Sequence, residues 1–217
     1  MEDKFKLTPE ENVFLAKKNL VSNIYTEAKI EDLNITFPQT EAILNGGNVP
    51  SLPLDTINTI LNLRDAWHYV FDHLNDSVTL DYIKQINFWV SRNQSLKWGE
   101  LRNGKVGIAG TDHQPLVPDP ETTEQQITTI TGQELSATEL ALNLDLYLCY
   151  NQLFWDGNKR TAHIAANAWL IQNGCGVLAV PENQIAQYHA LLRYFYQTGD
   201  GEMFKKFLYQ KCLFGLE

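Results

Sequence analysis

Basic residues are in short supply in this 217-residue chain: 17 Lys and Arg stand against 26 Asp and Glu, for a net charge of −9. Non-specific binding to DNA or RNA needs a basic field, so nucleic acid is excluded as the expected partner. A nucleotide is not excluded, because it needs only a local cationic pocket. Cysteine is also sparse. Cys149, Cys175 and Cys212 are odd in number and not in metal-ligand spacing, so they read as reduced, buried thiols. The five histidines show no ligand spacing either, and no structural zinc site is expected. No apolar run approaches the roughly 20 residues of a membrane span. The charged start "MEDKFKLTPEEN" lacks the apolar core of a secretory signal. The expected setting is cytoplasmic, with no membrane partner. The Gly-x-x-x-x-Gly-Lys spacing of a P-loop is missing as well, so any phosphate site must be of another design.

Helical signals dominate what is present. Hydrophobic residues make up 44% of the chain, enough for one sizeable core. Thr8-Pro9-Glu10-Glu11 is a capping box with proline at the first helical position, and an apolar face follows at helical spacing. The pattern predicts one helix from about Pro9 to Glu31, then a break at "NITFPQT" and a short helix ending at Gly46-Gly47. Ile57 to Leu74 and Leu80 to Arg92 read as amphipathic helices. The texture then changes. "GELRNGKVGIAGTDHQPLVP" is rich in glycine and proline, and its Lys105–Ile108 portion suits a short hairpin. From Gly132 to Tyr150 the leucines alternate at strand period but also fit a helix. Length and Ala, Leu and Glu content favour a largely buried helix. Further helices are expected over Arg160–Gln172, Glu182–Gln197 and Glu202–Cys212. The fold class is mainly α, in one domain spanning 1–217.

The segment "CYNQLFWDGNKRTAHIAANAWLIQNG" places a polar turn between two apolar stretches. A helix that begins near Lys159 presents unpaired amides and partial positive charge to an anion. Gly157 allows close approach of backbone to a ligand. Lys159 and Arg160 add charge, and an Arg can grip a phosphate in a bidentate manner. Asp156 suits a divalent cation that bridges phosphate oxygens. Asp-Gly-Asn is also a common turn and Lys-Arg a common solvated pair, so these residues alone leave a purely structural turn open.

Phe154, Asp156, Gly157, Asn158, Lys159 and Arg160 match in register a long motif. This is the His-x-Phe-x-Asp/Glu-Gly-Asn-Gly/Lys-Arg-x-x-Arg core of the Fic/Doc (Fido) family, which the chain resembles. "GKVGIAGTDHQPLVP" is similar to that family's flap, a hairpin followed by a proline-containing loop. The resemblance implies the helical Fido fold, with an N-terminal helix at 8–32, the flap at 99–119 and the nucleotide-binding motif at 152–163. It also implies ATP and Mg²⁺ as ligands, with AMP transferred to a hydroxyl on a protein target. Asp156 would hold the metal, and Gly157, Asn158, Lys159 and Arg160 would cradle the phosphates. Phe154 would anchor the loop. The flap, including Lys105, Val106, Gly107 and Ile108, would hold the target segment through main-chain hydrogen bonds.

Three positions depart from the family pattern. Gln152 stands where the family has its histidine base, and an amide cannot take and release a proton near neutral pH. His163 stands for the second motif arginine, one turn after Arg160, and is expected to face the same nucleotide site. Glu31 falls in the register of the family's inhibitory glutamate, with Glu27 where Ser or Thr is usual. Its arginine partner is missing, so His163 would be a partial, pH-dependent substitute. Against these readings, Glu27 and Glu31 also suit solvated helix positions. His113 and His163 are the alternative candidates for a base, and each also suits a structural role. The readings left open are an adenylyltransferase with weakened or altered chemistry, a nucleotide-binding but inactive regulator, and an interaction module. A homo-oligomer is also left open.

Overall fold

The structure is a computed structural model and describes residues 1–216. Its elements are ten α-helices: α1 (Pro9–Lys18), α2 (Leu20–Ile30), α3 (Phe37–Leu44), α4 (Leu54–Asp72), α5 (Leu80–Ser91), α6 (Pro120–Thr131), α7 (Ala137–Asn151), α8 (Asn158–Gln172), α9 (Ile185–Thr198) and α10 (Glu202–Phe207). One two-stranded antiparallel sheet joins β1 (Val177–Leu178) to β2 (Leu213–Phe214). The mainly helical expectation holds.

Several local expectations need correction. The single helix over Pro9–Glu31 is two. Asn19 breaks it at φ −97°, ψ 8°, with its side-chain amide donating back to the Leu15 carbonyl at 3.1 Å and closing α1. No hairpin forms over Lys105–Ile108; the sheet lies elsewhere, because no second strand runs beside this segment. Helix α6 sits in a stretch to which the sequence analysis assigned no element. Its signal was legible: Asp119 caps it by accepting from the Thr122 amide at 2.9 Å, and Pro120 takes the first helical position. The last predicted helix leaves α geometry at Phe207 and ends in a π turn over Leu208–Cys212. Among the described residues no helix is long and apolar enough to cross a membrane.

Helix α8 lies at the centre, buried on nearly every side. Ala162, Ala165, Ala166 and Ala168 keep its surface slim, so that α7, α5, α4 and α1 pack closely on it. The leucine-rich α7 is its main neighbour. Because α7 is also covered on most sides, its leucines need no single face, which explains the alternating pattern in its sequence. A helix so enclosed must satisfy its polar side chains internally. Asn167 does so by pairing with both backbone groups of Leu178 at 2.8 Å, which fixes β1 against α8. Asn12 of α1 makes the same two-way bond to Gly176, at 2.9 and 2.7 Å.

Asn167→Ala should therefore leave two buried backbone groups without partners. The expected loss is about 2–4 kcal/mol of unfolding free energy, measured as a shift in urea midpoint at constant slope. A loss under about 1 kcal/mol would mean that the amide does not hold β1.

Candidate functional site

Six residues, 152–157, fold the chain back from α7 into α8. Gln152 closes α7 in the left-handed conformation, φ 46° and ψ 61°. Its side-chain amide donates to the Cys149 carbonyl at 2.6 Å and lies 3.3 Å from the Tyr196 hydroxyl of α9. Phe154 is buried and anchors the turn. Asn158 staples it: its side chain accepts from the Phe154 amide at 2.8 Å and donates to the Phe154 carbonyl at 2.9 Å. Both ends of the Asn158 side chain are thereby engaged within the turn. Gly157 has φ 72°, and a Cβ there would come within 2.7 Å of Val90 Cγ1. Its glycine requirement comes from packing against α5 rather than from a ligand. No side chain caps α8, so its first-turn amides remain open to an anion.

The turn faces a cleft of about 690 Å³. Val106, Gly107 and Ile108 form one wall, while Lys105, expected beside them, does not line it. Trp155, Asp156, Asn158 and Lys159 form the floor, and Gln152 and Glu31 also reach it. Trp155 supports the flap from beneath, where any Cβ on Gly104 would strike its ring at 2.5 Å. The remaining wall was not anticipated. His189, Leu192, Arg193 and Tyr196 of α9 all line the cleft. Their spacing of three, one and three residues is that of one helical face, and it was the signal available in the sequence.

Charge is distributed differently from the expectation. Glu31 meets Lys159 Nζ at 3.3 Å and Arg160 Nε at 3.4 Å, and His163 pairs with Glu27 and Asp145 instead. Removal from bulk water pushes the Glu31 carboxyl up. The Arg160 and Lys159 charges outweigh that effect and hold it below the usual carboxylate range. Arg160 is buried and also lies 3.6 Å from Asp156 Oδ1. It borders a second, smaller cavity with Asp55, Thr59 and Gln94 rather than the main cleft.

His163 does not face the nucleotide turn. It is 1% exposed, turned into the core. Its Nδ1 is 2.8 Å from Glu27, and its Nε2 is 2.9 Å from the Tyr188 hydroxyl and 3.7 Å from Asp145. Burial alone would push the imidazole down, but Glu27 and then Asp145 raise it to about 9. Glu27, expected among solvated positions, is thus a buried counter-charge. The alternative base His113 is not free either: it stacks on Tyr150 and its Nε2 lies 2.9 Å from the Tyr150 carbonyl.

Residues 77–170 match the model of the Fic/DOC family. Protein adenylyltransferase Fic of Nematostella vectensis is 29% identical over 199 residues, covering 86% of this chain and 45% of that protein. The solved structure of Fic-1 from C. elegans aligns with a TM-score of 0.75 at 22% identity, covering 92% of this chain and 62% of that one. Over residues 77–170 the chain is similar to the Fic/DOC family. Protein adenylyltransferase Fic of Drosophila melanogaster is 25% identical over 201 residues, covering 88% of this chain and 40% of that protein. A Fic domain containing signaling protein from Bacteroides thetaiotaomicron aligns with a TM-score of 0.70 at 20% identity, covering 86% and 75%. The chain spans less than half the length of these two curated relatives. The matched Fic segment takes in α5 to α8 and the whole turn, whereas Glu31 and α9 lie outside it.

Within the segment matched to the Fic/DOC model, Arg102 is the residue that sequence reading missed. It is fully buried, and no carboxylate pairs with it among the described residues. Its guanidinium donates to the carbonyls of Gly104, Pro115, Leu116, Asn151 and Gln152. It therefore ties both ends of the flap to the end of α7. Arg102→Leu should cost about 3–5 kcal/mol, because several carbonyls lose a charged donor inside the protein. Limited proteolysis within 103–116 should accelerate in parallel. If neither stability nor cleavage changes, Arg102 does not hold the flap.

Proposed function

We propose that this chain binds ATP with Mg²⁺ through the Asp156–Arg160 turn and acts as a protein adenylyltransferase with weakened or altered catalysis. The observation that carries this reading is the placement of the turn. The uncapped N-terminus of α8, Lys159 and Asp156 all border one cleft, and the Val106–Ile108 segment faces the same space. The relatives named as adenylyltransferases support the same class of chemistry.

Each residue has a task in this reading. Asp156 is half exposed, and its Oδ1 is held by the Gly157 amide at 2.7 Å, which leaves Oδ2 for a cation. Magnesium bound there with the nucleotide would neutralise phosphate charge and help orient the α-phosphate for attack. The open amides of α8 and Lys159 hold the phosphate oxygens. The main chain of 105–108, unpaired with any strand, offers edge hydrogen bonds to an extended target segment. The target hydroxyl attacks the α-phosphorus, the bond to the pyrophosphate oxygen breaks, and the hydroxyl proton must leave. Gln152 cannot accept that proton, so this step is slow.

The second reading is a nucleotide-binding regulator without transferase activity. One observation favours it: the Gln152 amide is bonded back to the Cys149 carbonyl and does not stand free for a hydroxyl. Gln152→His discriminates between the two. A histidine tolerates the left-handed backbone at this position better than most residues. With Fic geometry intact, ATP labelled at the α-phosphate should pass label to protein at least about 10²-fold faster than wild type in a lysate. A variant that binds ATP-Mg²⁺ but transfers no more label than wild type would favour the regulator.

Glu31 occupies the two cations nearest the phosphate site. Glu31→Gln should therefore tighten ATP-Mg²⁺ binding by about 2–10-fold, the scale of a partly exposed ion pair. Lowering of the Glu31 pKa places loss of this ion pair below the usual carboxylate range, as pH falls through the folded value. The Glu31 carboxylate is therefore ionised at about pH 6 and about pH 8 alike, so the gain should be equal at both. Calorimetric titration checks this. A gain confined to one pH would mean that a histidine, not Glu31 with its lysine and arginine, governs access.

A further inference from the structure

The core holds a second cluster of ligand-type side chains, separate from the cleft. Asp145 and Cys149 are one turn apart on α7 and His163 faces them from α8. All three are buried, and a carboxylate oxygen, the Sγ and an imidazole nitrogen lie within 4.8 Å of one another. Neither oxygen of Asp145 has a hydrogen-bond partner, although the residue is 0% exposed. A carboxyl at such depth that is faced only by the His163 imidazole at 3.7 Å, with no hydrogen-bond donor, is costly, and a cation among these side chains would satisfy it. His163 adds an independent sign. Its Nδ1 is held by Glu27 at 2.8 Å, which aims Nε2 at Asp145, 3.7 Å away. A carboxylate behind a histidine is the arrangement that orients metal-binding imidazoles and raises their basicity.

We propose that Asp145, Cys149 and His163 form a structural site for a divalent transition-metal ion, zinc by its chemistry, that clamps α7 to α8. The mix of oxygen, sulfur and nitrogen ligands suits Zn²⁺ and is too soft for Mg²⁺ or Ca²⁺. Bonds of about 2.0–2.3 Å in a tetrahedron place ligand atoms roughly 3–4 Å apart, so the cluster needs to close by only about 1 Å. The Tyr188 hydroxyl, 2.9 Å from Nε2, stands at the fourth side. On binding, the thiol and the imidazole each release a proton to solvent. The thiolate and the Asp145 carboxylate then balance the two charges of the ion, and Glu27 keeps its bond to the remaining imidazole proton. The ion would sit just before the 152–157 turn on α7 and one turn beyond Arg160 on α8, and so would hold the turn from behind. The site is independent of the proposed nucleotide chemistry.

The test uses the full chain expressed with zinc present and purified without chelator. Elemental analysis should find about one zinc per chain. After chelation and reloading with Co²⁺, the near-ultraviolet thiolate-to-cobalt charge-transfer band and intense visible tetrahedral bands should appear. Cys149→Ser should abolish the thiolate band, whereas Cys175→Ser and Cys212→Ser should not. Glu27→Gln, which leaves all three ligands in place, should weaken zinc binding by about 10–100-fold. Wild-type protein with no stoichiometric metal and no thiolate band would overturn the proposal, and this result does not depend on any variant folding. A band that survives Cys149→Ser would overturn it as well.

Discussion

Helix α8 is enclosed on almost all sides, yet it carries Arg160, Thr161, His163 and Asn167 in its sequence. Each of these must find most of its partners inside the protein, because burial keeps nearly all water from them. The partners they find organise the molecule. Asn167 fixes β1, His163 draws in Glu27, Asp145 and Tyr188, Thr161 accepts from Asn87 of α5 at 3.1 Å, and Arg160 takes Glu31 and Asp156. Alanines between them let the surrounding helices close in. The position of the functional turn follows, because it is the entrance to this helix.

Two layers of charge lie along α8. Arg160, paired with Glu31, borders the smaller cavity, while Lys159 and Glu31 form the outer layer that lines the cleft. The inner layer, His163 with Glu27 and Asp145, is sealed away from it. In the family motif both basic positions belong to the nucleotide site. Here the second is a histidine, too short to reach the cleft once Glu27 and Asp145 have claimed it. Gln152 and His163, at the positions of the family's histidine and second arginine, are both engaged in internal bonds.

The flap shows a similar division of labour. Its outer portion is free of strand partners, and its base is fixed by one buried arginine that bonds only to carbonyls. Rigidity at the base and open main chain at the tip are what a segment needs in order to receive an extended peptide without being a strand already.

Local chemistry was legible in the sequence. Helix caps at Thr8, the punctuation at Asn173-Gly174, the mainly helical class and the motif from Phe154 to Arg160 all follow from neighbours within a few residues. Asp119-Pro120 was equally local and was overlooked. The partners of His163 could not be read this way, since Glu27 and Asp145 lie 136 and 18 positions from it. The same holds for the cluster of Asp145, Cys149 and His163, whose ligands come from two helices and show no motif in one dimension. Arg102 looked like an ordinary loop arginine until the fold brought five carbonyls around it. Sequence determined which segments are helical and where the polar turn between α7 and α8 falls, because backbone propensity and capping act over short range. Only the tertiary structure decided which charges face the cleft and which are sealed in the core, because burial and ion pairing depend on what the rest of the chain places opposite each side chain.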